Sequence, residues 1–390
     1  MSFSFARMPG VTLPDSPGGT RKRILALDGG GVRGVLSIEI LARMEELLRE
    51  HHGKPDLVLA DHFQFIAGTS AGAIVAALLS WGDPVDTVRE LFLERSAEIF
   101  SRAPLWKVWR LGRLLRAFYE SQALSRFLQE HFHDEATGKP ALLRTSKLKT
   151  MLMLCMRNAS TGSAWPITNN PAAKFNQGDP GDDPMLCNMN IPLWQLVRAS
   201  TAAPVYFLPE HIAMDKATAF EFMDGATTAY NNPALIAVLT ATLPCYHMGW
   251  PADRERLHMV SVGTGGTRSV LKDRSWAAYN IATNLRNVPL GLIENITVQQ
   301  DYLCRVLGDC IFGEEIDGEA GCLSDCGEVA GGRKQFSYVR YDHRFLKEEI
   351  EGAKRRYGGG FDIDNLRMIP YLTEVGREYA ERNVRVEHLL

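Results

Sequence analysis

No stretch of this 390-residue chain runs for 18 apolar residues, so it offers no candidate transmembrane helix. An excess of one charge is also lacking. Its 43 Lys and Arg face 46 Asp and Glu, a formal net charge of −3. That balance supplies no global basic field for nucleic acid or anionic lipid, so any membrane contact must come from a local patch. Residues 1–22 are rich in Gly, Pro and Ser and lack the apolar centre of a secretory signal. They read as a flexible leader, and the expected location is cytoplasmic, with any membrane contact peripheral and on the inner face. Cysteine is sparse and odd in number. Cys155, Cys187 and Cys245 are scattered in apolar surroundings, as reduced thiols are. Cys304, Cys310, Cys322 and Cys326 lie closer together, but their spacing is not that of a zinc knuckle and no His lies among them. No metal and no cofactor are expected.

What is present is an alternation of short apolar runs and helical patterns. RILALD (23–28) ends in Asp and a run of glycines and reads as a buried strand. Ile38, Leu41, Met44, Leu47 and Leu48 recur at helical spacing across 35–52. HFQFIAG (62–68) reads as a second strand, and AGAIVAALLSW (71–81) as a helix buried on most faces. Further on come a strand at 148–158, a polar loop at 165–186, and a helix at 193–204 closed by Pro. A strand at 218–226, a helix at 233–242 opened by Pro and a strand at 257–266 follow. Residues 270–390 read as helices and loops. Such alternation implies an α/β fold with a mostly parallel sheet covered by helices. The expected organisation is a catalytic core over 23–235 and a C-terminal part, 236–390, packed on the same domain.

Two glycine motifs carry the chemistry. GTSAG at 68–72 fits G-x-S-x-G between a strand and a helix. Gly68 and Gly72 remove side chains that would clash in so tight a turn, and Ser70 is held out at a helix N-terminus that favours developing negative charge. DGGGVRG (28–34) follows the first strand and also satisfies G-x-G-x-x-G, the dinucleotide-binding fingerprint. No acidic residue closes a second strand about 20 residues on, as that reading needs. The alternative is an oxyanion loop, in which the amides of consecutive glycines point at one oxygen. Arg33 in this loop could stabilise it or reach a phosphate.

An elbow serine needs a base, and none of the ten histidines stands in an evident setting for one. MDGA (223–226) instead ends an apolar strand, with NNP (231–233) shortly after. An Asp-Gly pair there also fits an ordinary turn. The set DGGGVRG, GTSAG, DGA and NNP, in that order, resembles the patatin-like phospholipases. VRASTAAPVYFLP (197–209) resembles that family's Ala-Ser-Ala-Ala-Pro segment. The resemblance covers about residues 23–235. It implies the patatin three-layer α/β/α fold and a Ser–Asp dyad: Ser70 as nucleophile, Asp224 as base, and Gly29, Gly30, Gly31 and Arg33 in the oxyanion loop. Thr201 stands where many members have Ala, and DGA where others read DGG; neither change removes a reacting atom. The expected reaction is hydrolysis of fatty-acyl esters of phospholipids through an acyl-enzyme.

Residues 105–120 combine Trp106 and Trp109 with Arg110 and Arg113, which suits a helix lying at a lipid interface and equally a cap helix over a core seam. Some bacterial members of the family are switched on by cyclic nucleotides in antiphage defence, so a cyclic-nucleotide activator and a role as a regulated effector are implied, though no stretch marks such a site. The competing class is a non-catalytic lipid or nucleotide sensor that keeps the fold; intact Ser70 and Asp224 argue against it.

Overall fold

The computed structural model describes residues 21–99, 122–177, 187–204, 206–214, 218–267, 281–324, 332–358, 361 and 364–390. In chain order the strands and helices are β1 (Lys22–Leu27), α1 (Gly34–His52), α2 (Leu59–His62), β2 (Phe65–Thr69), α3 (Ala71–Trp81), α4 (Val85–Ile99), α5 (Gln122–His131), β3 (His133–Asp134), β4 (Lys139–Pro140), β5 (Met151–Asn158) and β6 (Ala164–Thr168). They continue with α6 (Leu193–Ser200), β7 (Glu210–Ala213), β8 (Ala219–Asp224), α7 (Ala234–Thr242), β9 (Leu257–Val262), β10 (Gly266–Thr267), α8 (Ile281–Leu307), β11 (Asp309–Phe312), β12 (Ser337–Tyr341), β13 (Arg344–Phe345), α9 (Lys347–Tyr357) and α10 (Ile369–Asn383).

A 9-stranded sheet forms the centre, in the order β11-β12-β9-β1-β2-β5-β8-β7, with β6 on the free edge of β5. The strands from β11 to β5 pair in parallel, and β6, β7 and β8 join antiparallel. Alternate residues of β1 go to opposite faces, as a pleated strand requires. Leu25 and Leu27 pack with α1, α3 and α10, while Ile24 and Ala26 pack with α7. Both faces are covered, which is why the parallel strands read as continuous apolar runs. The α/β/α layering expected from the sequence is present.

Several strands depart from expectation, β6, β11 and β12 of the central sheet among them. The stretch expected to be a polar loop from 165 opens with β6, which pairs along β5 from Met153↔Thr168 to Arg157↔Ala164. Pro166 hides it: proline sits in sheets only where one edge is left unpaired, and β6 is such an edge strand. In the C-terminal part, expected to be helices and loops, β11 and β12 extend the central sheet. The β12 sequence SYVRY carries an arginine where a buried strand should be apolar, and Arg340 is nonetheless only 2% exposed. Its partner, described below, lies at the other end of the sequence.

The register of β5 brings the site together. Along one edge β2 runs parallel, ending with Thr69 opposite Cys155. On the same edge β8 runs antiparallel, ending with Asp224 opposite Met156. β2 and β8 therefore meet head-on, and the residues that follow or end them, Ser70 and Asp224, become neighbours despite a separation of 154 positions.

Candidate active site

Ser70 links β2 to α3 with φ 56° and ψ −125°, one of few non-glycine residues at positive φ. Such a conformation costs of the order of 1–3 kcal/mol and persists only where surroundings enforce it. Here they do. The Ser70 amide donates to Ser200 Oγ at 3.1 Å, and that hydroxyl donates to the Cys155 carbonyl at 2.6 Å. Thr69 Oγ1 donates to the Tyr230 carbonyl at 2.5 Å. The glycines are required by contact: a Cβ on Gly68 would lie 2.2 Å from the Gly72 carbonyl oxygen, and one on Gly72 would lie 2.5 Å from that of Leu27. The elbow is thus pressed against the end of β1, where the glycine loop begins.

Ser70 Oγ donates to Asp224 Oδ2 at 2.6 Å. The other carboxylate oxygen accepts the Ala226 amide at 2.8 Å, which fixes the ring of atoms at the turn. Gly225 makes the turn possible, because a Cβ there would lie 2.3 Å from the Cys155 carbonyl oxygen. Asp224 is 2% exposed. Burial pushes its carboxyl up to about 6, against the hydrogen bonds from Ser70 and Ala226 and the charge of Arg198, which favour the ionised form. Arg198, itself buried, lies 5.1 Å over the Phe207 ring and donates to the Leu208 carbonyl at 3.2 Å.

The glycine loop lies against this pair. A Cβ on Gly29 would be 3.1 Å from Ser70 Cβ. The Gly29 amide donates to the Asn231 carbonyl at 3.1 Å, so it is committed to the scaffold. Among the described residues, no hydrogen bond engages the Gly30 or Gly31 amide. Gly31 has φ 58° and lines a pocket with Ser70. Arg33 does not turn toward the serine in this arrangement; its Nη1 donates to the Gly265 carbonyl at 3.0 Å, and the side chain closes the loop from behind. Of the loop residues marked in the sequence, Gly29 and Arg33 are engaged with Asn231 and Gly265, while the Gly30 and Gly31 amides carry no hydrogen bond among the described residues.

The pocket is apolar. Ala71, Ile74 and Leu78 form its α3 wall, at the spacing that keeps side chains on one helical face. Leu91 and Phe92 of α4 and Leu124 and Phe127 of α5 face them. Nothing in the sequence marked the α4 and α5 side of this pocket, because both helices come from segments with no motif. Ser200 lay within a recognised segment, but nothing in the sequence assigned it the task of holding the elbow. Trp106, Trp109, Arg110 and Arg113 lie outside the described residues. Among the described residues no group of three or more His, Cys, Asp or Glu side chains could hold a metal ion, and Cys304, Cys310 and Cys322 are free thiols.

Serine hydrolases of the α/β class are built around such an elbow, and this chain is one of them. The family follows from comparison. A model described as patatin-like phospholipase matches residues 25–238, more than half of the chain, and the chain belongs to that family of lipid acyl hydrolases. It is similar to the cGAMP-activated phospholipase of Escherichia coli (strain TW11681), 29% identical over 280 residues, with 70% of each chain covered. It is similar to patatin-like protein 4 of Arabidopsis thaliana, 28% identical over 293 residues that span 70% of this chain and 68% of that one. Among solved structures, human GIVD cytosolic phospholipase A2 aligns over 95% of this chain and 59% of its own, with TM-score 0.38 and 10% identity.

Proposed function

We propose that the protein cleaves fatty-acyl esters of phospholipids with Ser70 as nucleophile and Asp224 as base, through an acyl-enzyme. The observation that carries this reading is the 2.6 Å hydrogen bond from Ser70 Oγ to a buried carboxylate at the mouth of an apolar pocket. Asp224 takes the hydroxyl proton as Ser70 attacks the ester carbonyl. The carbonyl oxygen becomes an anion beside the Gly30 and Gly31 amides and the N-terminus of α3. Collapse expels the alcohol, the lysolipid, which leaves with the proton held by Asp224. Water then attacks the acyl-serine, giving its proton to the same carboxylate, which returns it to the Ser70 oxygen as the acyl bond breaks and the fatty acid departs.

The E. coli relative's name, cGAMP-activated phospholipase, supports a cyclic-nucleotide activator for this chain as well. Among the described residues no helix is long and apolar enough to cross a membrane, so access to phospholipid is proposed to be from the bilayer surface, with residues 105–118 as one contact. The 23–235 core and the 236–390 extension are proposed to act as one domain.

The test is fatty-acid release from phosphatidylcholine and phosphatidylglycerol vesicles, with and without cGAMP, by the wild type and by Ser70→Ala. Release by the wild type alone is expected; equal release by both would remove the proposal. The pH profile gives a second check. Only ionised Asp224 can accept the proton, and burial places its titration near 6. Activity should therefore be on a plateau above about pH 7 and fall about tenfold per unit below about 6. A profile flat down to pH 4 would exclude a buried carboxylate as base.

A further inference from the structure

Arg340 stands on β12, far outside the segment that carries the family's motifs, yet its guanidinium ends beneath the glycine loop. Nη2 and Nη1 donate to Asp28 Oδ2 and Oδ1 at 2.6 and 3.0 Å, a two-pronged pair with the residue that opens the loop. Nη1 also donates to Ser261 Oγ at 2.7 Å, and Nη2 to Asp342 Oδ2 at 3.0 Å. The contacts then run on around the loop. Asp342 Oδ1 accepts the Gly265 amide at 3.0 Å. The Gly265 carbonyl accepts Arg33 Nη1 at 3.0 Å, at the loop's far end. Between them Thr264 Oγ1 donates to the Gly29 carbonyl at 3.2 Å, and a Cβ on Gly30 would overlap the Thr264 side chain. The loop is thus gripped at its start, middle and end by groups on the β9–β10 turn and β12, and Arg340 joins them.

A pair this deeply buried is a poor source of stability. Desolvating both ions offsets most of their attraction, and neutral replacements of similar shape fold as well or better. Arg340 and Asp28 are 2% and 3% exposed. A fork that touches the loop's first residue and, through Asp342 and Gly265, its last arginine has a geometric consequence instead. It fixes where the Gly30 and Gly31 amides stand relative to Ser70.

We propose that Arg340 is a positioning residue for the oxyanion loop, acting through Asp28 and Asp342 on the Gly30 and Gly31 amides. The proposal rests on the ester-hydrolase reading above. It makes the C-terminal strand part of the machinery of a site whose reacting groups all lie before residue 235.

The test separates folding from positioning. Arg340→Met alone leaves the Asp28 carboxyl buried without its partner and should melt earlier. Asp28→Asn with Arg340→Met removes both charges and should regain most of the lost melting temperature. On a soluble short-chain ester the double variant should still show kcat lowered roughly tenfold to a hundredfold, with KM little changed, the signature of a group that acts only in the transition state. Affinity for an alkyl trifluoromethyl ketone, whose adduct with Ser70 carries the same oxyanion, should fall by the same factor as kcat. Arg340→Lys keeps the charge but not the fork; it should fold and lose kcat in the same direction. Wild-type kcat and inhibitor affinity in a folded double variant or in Arg340→Lys would overturn the proposal, as would a loss confined to KM. Ser70→Ala in the same assay distinguishes the two failures: if it is inactive while the Arg340 variants run at full rate, only the positioning role is lost.

Discussion

Asp224→Asn should be folded, at least as stable as the wild type at pH 8, and inactive. The substitution keeps a side-chain oxygen to accept the Ala226 amide, the contact that shapes the turn. It removes a carboxylate that burial raises to about 6 from 3.8. A group whose folded-state pKa lies above its unfolded value holds its proton more tightly in the native state. Its ionisation therefore works against the fold, fully so above pH 6, and the effect vanishes below about 4. The asparagine should then melt no lower than the wild type at pH 8, with any advantage gone in acid. Hydrolysis of a short-chain ester should drop by about ten-thousandfold or more, because Asp224 is the hydrogen-bond acceptor of Ser70 Oγ among the described residues. Ser70→Ala should lose as much. The double variant should be no worse than either single one, since the two residues act as a unit. Near wild-type turnover in Asp224→Asn would show that the base is elsewhere. Asp224→Ala is the poorer tool, for it also gives up the turn's capping bond, worth about 1 kcal/mol.

Much of this arrangement was legible in the sequence, for local reasons. A glycine turn between a strand and a helix is written in consecutive residues, and α3 begins and ends where its composition changes, at Ala71 and Trp81. The parallel strands β1 and β9 announced themselves because both faces are apolar. What stayed hidden was decided by partners distant along the chain. β12 reads as a poor strand until Asp28 is seen to meet Arg340 across 312 positions. β6 reads as a loop because of Pro166, which only an edge position tolerates. The division of labour inside DGGGVRG was equally out of reach. Gly29 and Arg33 are spent on Asn231 and Gly265, and no local pattern distinguishes them from Gly30 and Gly31. The apolar pocket was invisible for a similar cause, since its lining is assembled from α3, α4 and α5 with no shared motif.

If the acyl chain lies along the α3 wall, that wall sets the chain length the site accepts. Ala71, Ile74 and Leu78 descend one face of α3 from Ser70, so Leu78 stands about 12 Å from the nucleophile along the helix axis. An extended acyl chain of roughly nine or ten carbons covers that distance, taking C–C bonds near 1.5 Å in a zigzag. Ile74 stands about 6 Å along, at the fourth or fifth carbon. Ile74→Trp should leave a butyryl ester near its wild-type rate and sharply slow a decanoyl ester. The five or more excluded carbons, at about 0.8 kcal/mol each, remove ~4 kcal/mol of binding, which is on the order of a thousandfold in kcat/KM. Leu78→Phe should spare both of those esters and slow only longer chains, moving the cut-off outward by the one helical turn that separates the two residues. Overpacking at either position costs about 1–3 kcal/mol of stability, so a melting curve must show each variant folded at the assay temperature. If both variants slowed butyryl and decanoyl esters to the same extent, the acyl chain would have to lie elsewhere, and the α3 wall would be core alone. A cut-off that shifts with the position of the substitution is a result that packing loss cannot imitate, because lost packing takes no account of the substrate's length.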